Sequence, residues 1–190
     1  MASDAIASAF VAVRWLSRRV EPRTPVAARR ARFLRIGGLA LGALLLVGAV
    51  LAVVLAPRNI ARGKTAMASS VPDGSNRHPS GLTNGSRELT CGAETKDEAS
   101  SWFVIDFEKP TYFDRVVVYN RGDGNPAENL PLALEVGDSL TALETVATRT
   151  EPFTRTQPWI VHGLNREARY VRVRKTERGA LSLDEIEVYR

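Results

Sequence analysis

Three patterns of apolar and polar residues divide the chain. Residues 36–56, IGGLALGALLLVGAVLAVVLA, are apolar on every side and carry no charge. As a helix at ~1.5 Å per residue they would reach about 31 Å, the thickness of a bilayer's hydrocarbon core. Upstream, Ile6, Ala9, Phe10, Val13, Leu16 and Val20 recur near helical spacing, with Arg14, Arg18 and Arg19 close by. That stretch fits an amphipathic helix on the cytoplasmic leaflet or against a partner, and equally a disordered basic tail. Pro22 and Pro25 end any such helix.

From Lys64 onward the helical spacing stops and short strand-like runs begin. They are Trp102–Phe107, Tyr112–Tyr119, Ala133–Val136, Leu143–Thr148, Trp159–Val161, Arg169–Lys175 and Leu181–Tyr189. Phe103, Ile105 and Phe107 alternate onto one face, and Tyr170 to Arg174 is a strict period-2 run. Clusters of Pro, Gly, Asn and Asp (PDGSNRHPSG, RGDGNPAEN) separate the runs. Seven or eight strands at this spacing, with no long helix among them, predict a β-sandwich. Only Pro57 and Arg58 lie between the apolar segment and Asn59, so the expected organisation is a tail over 1–35, a transmembrane helix over 36–56 and a β domain over 59–190.

Charge sharpens this division. Residues 1–35 hold eight Arg against Asp4 and Glu21, while residues 57–190 hold 18 Lys and Arg against 19 Asp and Glu. The basic excess therefore belongs to the tail. A nucleic-acid reader would carry it on the folded domain, so nucleic acid is excluded as a partner. Arg29, Arg30, Arg32 and Arg35 crowd the N-terminal flank of the apolar run, against Arg58 and Arg62 beyond it. The positive-inside rule then puts the N-terminus in the cytoplasm and the β domain in the periplasm or outside the cell. A cleaved signal peptide is the rival, but its apolar stretch is usually shorter, and Pro57 follows the best cleavage point. An uncleaved, single-pass signal anchor in the inner membrane is favoured. Gly38 and Gly42 have small-xxx-small spacing through which such helices could pair into an oligomer. The single cysteine, Cys91, allows no intrachain disulfide. It is expected to be a buried, inert thiol rather than a link between chains.

NIARGKTAMASS, GLTNGS, SWFVIDFEKPTYFDRVVVYNRGD and RYVRVRKTERGALSLDEIEVY follow one another from residue 59 to the end. In that order they resemble the discoidin (coagulation factor 5/8 type C) family, and most closely its fucose-binding F-type lectin branch. The resemblance implies an all-β, eight-stranded jelly-roll sandwich of the galactose-binding-like type. It implies a binding module rather than an enzyme, with both termini at one end and the ligand loops at the other.

The resemblance also points to site residues. The lectin branch holds fucose with a His, then an Arg-x-Asp, then a further Arg or Lys. Arg121 and Asp123 match the Arg-x-Asp, but Glu94 stands at the His position and Glu128 at the second cation. An ionised carboxylate only accepts hydrogen bonds, so two of three donors are lost, each costing on the order of 1–3 kcal/mol. Arg121 could instead serve only as a solvated ion pair with Glu128 or Asp123. His78 is the one imidazole a gapped alignment could supply, and it is distant in sequence. The Arg-Gly-Asp tripeptide is too short to carry an integrin reading. The family often holds calcium between a loop and a Glu of the last strand, which here implies Asn84, Ser86 and Glu185. A hydrogen-bonded turn is the alternative to that Ca2+ site. His78 and His162, the only histidines, sit in no metal or nucleophile motif, and no catalytic set is visible.

Two functions remain. One is a binding module for a glycan or envelope polymer, for which exposed rings at the loop end would speak. Trp159 and Phe153 are the candidates. The other is an accessory subunit of a membrane protein complex, which would show a flat apolar patch.

Overall fold

The computed structural model describes residues 38, 41–53, 56–87 and 91–190. Two compact units divide the chain at Ala56/Pro57. In the first, residues 41–53 are helical and every one of them is exposed. Among the described residues no helix is long and apolar enough to cross a membrane. Residues 36, 37, 39, 40, 54 and 55 of the predicted span, and the amphipathic pattern before it, lie outside the described residues.

The second unit is an all-β sandwich of two antiparallel sheets. Its strands are β1 (Thr65–Ala68), β2 (Ala93–Glu94), β3 (Trp102–Phe113), β4 (Arg115–Asn120), β5 (Leu132–Ser139), β6 (Ala142–Arg149), β7 (Trp159–Val161), β8 (Arg166–Lys175) and β9 (Ser182–Tyr189). One sheet has the order β1-β3-β8-β5-β6 and the other β2-β9-β4-β7. The expected eight strands are therefore nine. β1 and the two-residue β2 were not legible because their side chains give no alternation of their own. The expected run from Tyr112 to Tyr119 is also broken: Asp114 is the turn at which the chain passes from the first sheet to the second.

The alternating residues meet between the sheets. Phe103, Ile105, Leu132, Leu134, Val171 and Val173 face Val116, Val118, Leu183, Ile186 and Val188 in one core. Each such side chain stabilises the fold by roughly 1.5–3 kcal/mol when fully buried. Phe153 and Trp159 join this core edge to face, with ring centroids 6.4 Å apart. They are 2 % and 5 % exposed, so neither is the sugar-stacking ring the sequence offered. On the outer face of the larger sheet, the buried Glu135 is clamped by Arg172 and Arg174.

β9 sets the long axis of the domain. At its far end, Val188 accepts from Ile60 N and donates its own N–H to Asn59 Oδ1, which ties both termini of the unit together. At its near end, Ser182 pairs with Glu94 of β2. Six residues at ~3.3 Å per residue separate these points by about 20 Å. Along the way Tyr119 pairs with Glu185, but Asn120 pairs with Leu183, leaving a bulge at Asp184. The bulge lets Leu183 and Ile186 both enter the core, a spacing that strict alternation forbids.

Candidate functional site

The site lies at the end of the sandwich opposite the termini, where β4 runs out into the loop 121–131. Two buried asparagines hold that loop. Asn120 Nδ2 donates to the carbonyls of Pro126 and Phe153, and its Oδ1 accepts from Arg121 N. Asn129 Nδ2 donates to Asn120 Oδ1 and to the carbonyl of Ser182, and Asn129 Oδ1 accepts from Ser182 N at 2.8 Å. The loop backbone would otherwise bury polar groups without partners, so these side chains replace the missing ladder bonds.

Arg121 and Asp123 leave this frame as a pair. Arg121 Nε donates to Asp123 Oδ1 at 2.7 Å. That bond holds the Asp123 carboxyl below its usual range and raises Arg121. Glu94, the second residue of β2, is brought to the same place by its pairing with Ser182. The link between Glu94 and Asp123 is Arg77, a residue the sequence motif does not contain. Its Nη1 lies 3.1 Å from Glu94 Oε2 and its Nη2 3.5 Å from Asp123 Oδ2. Arg121, Asp123 and Glu94 are thus assembled into one cluster with Arg77. Glu128 is at the edge: its side chain is exposed and its carbonyl accepts from Lys175 Nζ. Arg121 pairs with Asp123 and not with Glu128.

Two concavities flank the cluster. The larger, about 430 Å³, is lined by Asn76, Arg77, His78, Ser80, Cys91 and Gly92, among others. The smaller, about 190 Å³, lies between Arg121, Gly124 and Pro126 on one side and Thr154 to Thr156 on the other. The floor of the larger is close-packed backbone. A Cβ on Gly81 would lie 2.1 Å from the Gly92 carbonyl oxygen, and one on Gly92 would lie 2.0 Å from that of Asp184. His78, distant in sequence, is therefore at the wall of the cavity that Arg77 borders. Cys91 is a buried free thiol at that wall, as expected, and burial pushes its pKa up despite Arg77 and Arg121 nearby. Arg77 was missed because it sits in the segment PDGSNRHPSG, whose Pro and Gly signal only a loop, and His78 was weighed there only as a distant imidazole.

Asn84, Ser86 and Glu185 are also brought together. Glu185 Oε1 accepts from Gly85 N at 3.0 Å, and Asn84 Oδ1 accepts from Ser86 N at 2.6 Å. Glu185 is fully buried and its Oε2 has no hydrogen-bond partner among the described residues. Burial, with Glu187 and Asp184 nearby, pushes its pKa up to about 8. An orphaned carboxylate oxygen beside a polar turn fits a hard cation. Yet no group of three or more His, Cys, Asp and Glu is poised around a metal among the described residues. The donor set therefore fits a weak cation site. The neighbouring Glu187 is committed elsewhere, accepting from the hydroxyls of Tyr119 and Tyr189.

Several solved structures of the same fold are named as lectins or carbohydrate-binding modules. The chain is 29% identical to the lectin domain of lectinolysin, solved in complex with Lewis b antigen, over 70% of this chain and 96% of that one, with a TM-score of 0.57. It is 26% identical to a fucose-binding module of Streptococcus pneumoniae, over 70% and 96% of the two chains, with a TM-score of 0.60. A fucolectin from striped bass (Morone saxatilis) shares the fold at 22% identity and a TM-score of 0.64, over 70% of this chain and 48% of that one. A search of curated protein sequences finds no match. The family model for NedA-like, galactose-binding domains of the F5/F8 type C group matches residues 73–173, and the chain belongs to that family.

Proposed function

We propose that this protein is a membrane-anchored, non-catalytic module that presents a glycan-binding site outside the cytoplasm. The observation that carries the glycan reading is the Arg121–Asp123 pair, held beside a cavity at the loop end of a domain whose relatives bind glycans. Glu94 and Glu128 replace donors of the fucose pattern, so the ligand differs from free L-fucose. The accessory-subunit reading is not favoured. Among the described residues of the sandwich the exposed large apolar ones are Tyr112, Leu140 and Ile160, single side chains on β3, the β5–β6 hairpin and β7.

The anchor reading is supported by the uncharged run 36–56, its Arg-rich flank and the helix over 41–53. Leu41, Leu44, Leu45, Leu46 and Val53 of that helix are between 60 % and 70 % exposed, which water does not favour and lipid does. The N-terminus lies in the cytoplasm and the sandwich in the periplasm or outside the cell. Glu185, with Asn84 and Ser86, holds Ca2+ weakly at the concentrations found outside the cytoplasm.

A glycan array probed with residues 59–190, beside a pull-down with the full chain, tests the ligand. Binding to defined glycans supports the reading, and capture of a protein partner by a chain that binds no glycan overturns it. A thiol label on Asp73→Cys reacts from outside intact spheroplasts and one on Ala5→Cys does not. The reverse pattern removes the anchor topology.

A further inference from the structure

Where the lectin pattern that the sequence resembles has an imidazole, this chain has Glu94, and a guanidinium from a different loop reaches it. Arg77 reaches Glu94, 17 residues away in sequence, and Asp123, 46 residues away. Among the described residues it is the cation that touches both carboxylates of the site. A guanidinium carries five N–H donors in a rigid fork, and Arg77 directs two of them to these carboxylates. The remainder stay with a side chain that borders the larger cavity. Its side chain is 31 % exposed, so it is held in place yet reachable.

We infer that Arg77 is the second ligand donor of this site, taking the part of an imidazole at position 94, and that it selects a neutral sugar through adjacent hydroxyls. The inference rests on the glycan reading above and names the chemistry of its ligand. Guanidinium and carboxylate alternate along the cluster in the order Arg121, Asp123, Arg77, Glu94. A sugar hydroxyl both accepts and donates, so two neighbouring hydroxyls complement a guanidinium beside a carboxylate. The two positive and two negative charges cancel, so the cluster offers no net attraction to a uronic acid or an amino sugar. Glu94 acts through Arg77 as a positioning residue. A histidine there would donate to ligand itself, whereas the carboxylate orients a longer donor.

The test uses the full-length chain in a sugar-free detergent, on an array that includes neutral, uronic-acid and amino-sugar oligosaccharides. The glycan bound best is then titrated calorimetrically against variants. Arg77→Ala should weaken binding at least tenfold. Arg77→Lys keeps the charge but not the fork, and should fail to restore more than a third of the lost affinity. Glu94→Gln should weaken binding about threefold, and much less once Arg77 is already Ala. Arg166→Ala, which breaks a pair with Glu144 on other strands, should leave affinity unchanged. If Arg77→Ala lowers the melting temperature, the Lys variant, which retains a cation for Glu94, decides the matter. Binding that survives Arg77→Ala but not Arg121→Ala overturns the role of Arg77 and leaves the glycan reading standing. A preference for acidic or amino sugars overturns the neutral-ligand assignment. A chain that binds no glycan removes the underlying reading, and this inference with it.

Discussion

Replacing Asn129 by Ala should unlock the site without destroying the sandwich. Asn129 is 1 % exposed and makes three buried hydrogen bonds, to Asn120 Oδ1, to the Ser182 carbonyl and from Ser182 N. Each contributes about 1 kcal/mol net, and stranding the buried Ser182 N–H costs on the order of 1 kcal/mol more. The expected loss is therefore about 4 kcal/mol. Asn120 Oδ1 still accepts from Arg121 N, so part of the frame survives. A domain of this size is stable by roughly 5–15 kcal/mol, so the variant should remain folded at low temperature. Urea unfolding of residues 57–190, followed by the fluorescence of Trp102 and Trp159, measures the difference. Because Asn129 steadies the loop that carries Arg121 and Asp123, glycan affinity should fall as well. A stability loss under about 1 kcal/mol would show that the three bonds are not what holds the loop.

Three further outcomes follow from the same geometry. Residues 59–190 should give no calorimetric signal with millimolar L-fucose, and sub-millimolar affinity abolished by Arg121→Ala would restore the fucose-lectin pattern. EDTA should lower the melting temperature and calcium restore it, because an ion bound to the folded state alone adds stability by mass action. Glu185→Gln should abolish that response, and a curve indifferent to both additions would leave Asn84 as a turn residue. For Glu135, burial pushes the carboxyl up, but hydrogen bonds from Arg174 and Arg172 outweigh it and hold it below its usual value. The sign is that of a depressed acid: its contribution is present above the unfolded pKa of about 4.5 and is lost as pH falls through the folded value. Stability measured from pH 6 to pH 3 should fall less steeply in Glu135→Gln, and an unchanged slope would assign the acid sensitivity elsewhere.

Much of the sandwich was legible because alternation is a local property. Phe103, Ile105 and Phe107, or Val171 and Val173, must share a face once they are extended, whatever they pack against. The charge contrast between residues 1–35 and 57–190 is likewise a matter of composition, as is the apolar run between them. The Arg-x-Asp loop was found through its motif, and Asn84, Ser86 and Glu185 through the same resemblance.

The tertiary structure decided what depends on contacts between distant segments. β2 is two residues long and exists only because Glu94 and Ala93 lie against β9. The bulge at Asp184 shifts the register by one residue, which no alternation in LSLDEIEVY announces. Trp159 and Phe153 flank a loop in sequence, yet the sheet edge turns both rings into the core. Arg77 shows the limit most clearly. Its neighbours Ser75, Asn76, His78 and Pro79 describe a turn, and the carboxylate nearest to it in sequence, Asp73, pairs with Lys96 instead. Only folding brings it to Glu94 and Asp123, because a side chain's partners are set by where whole strands and loops converge, and a motif records only spacing along one chain.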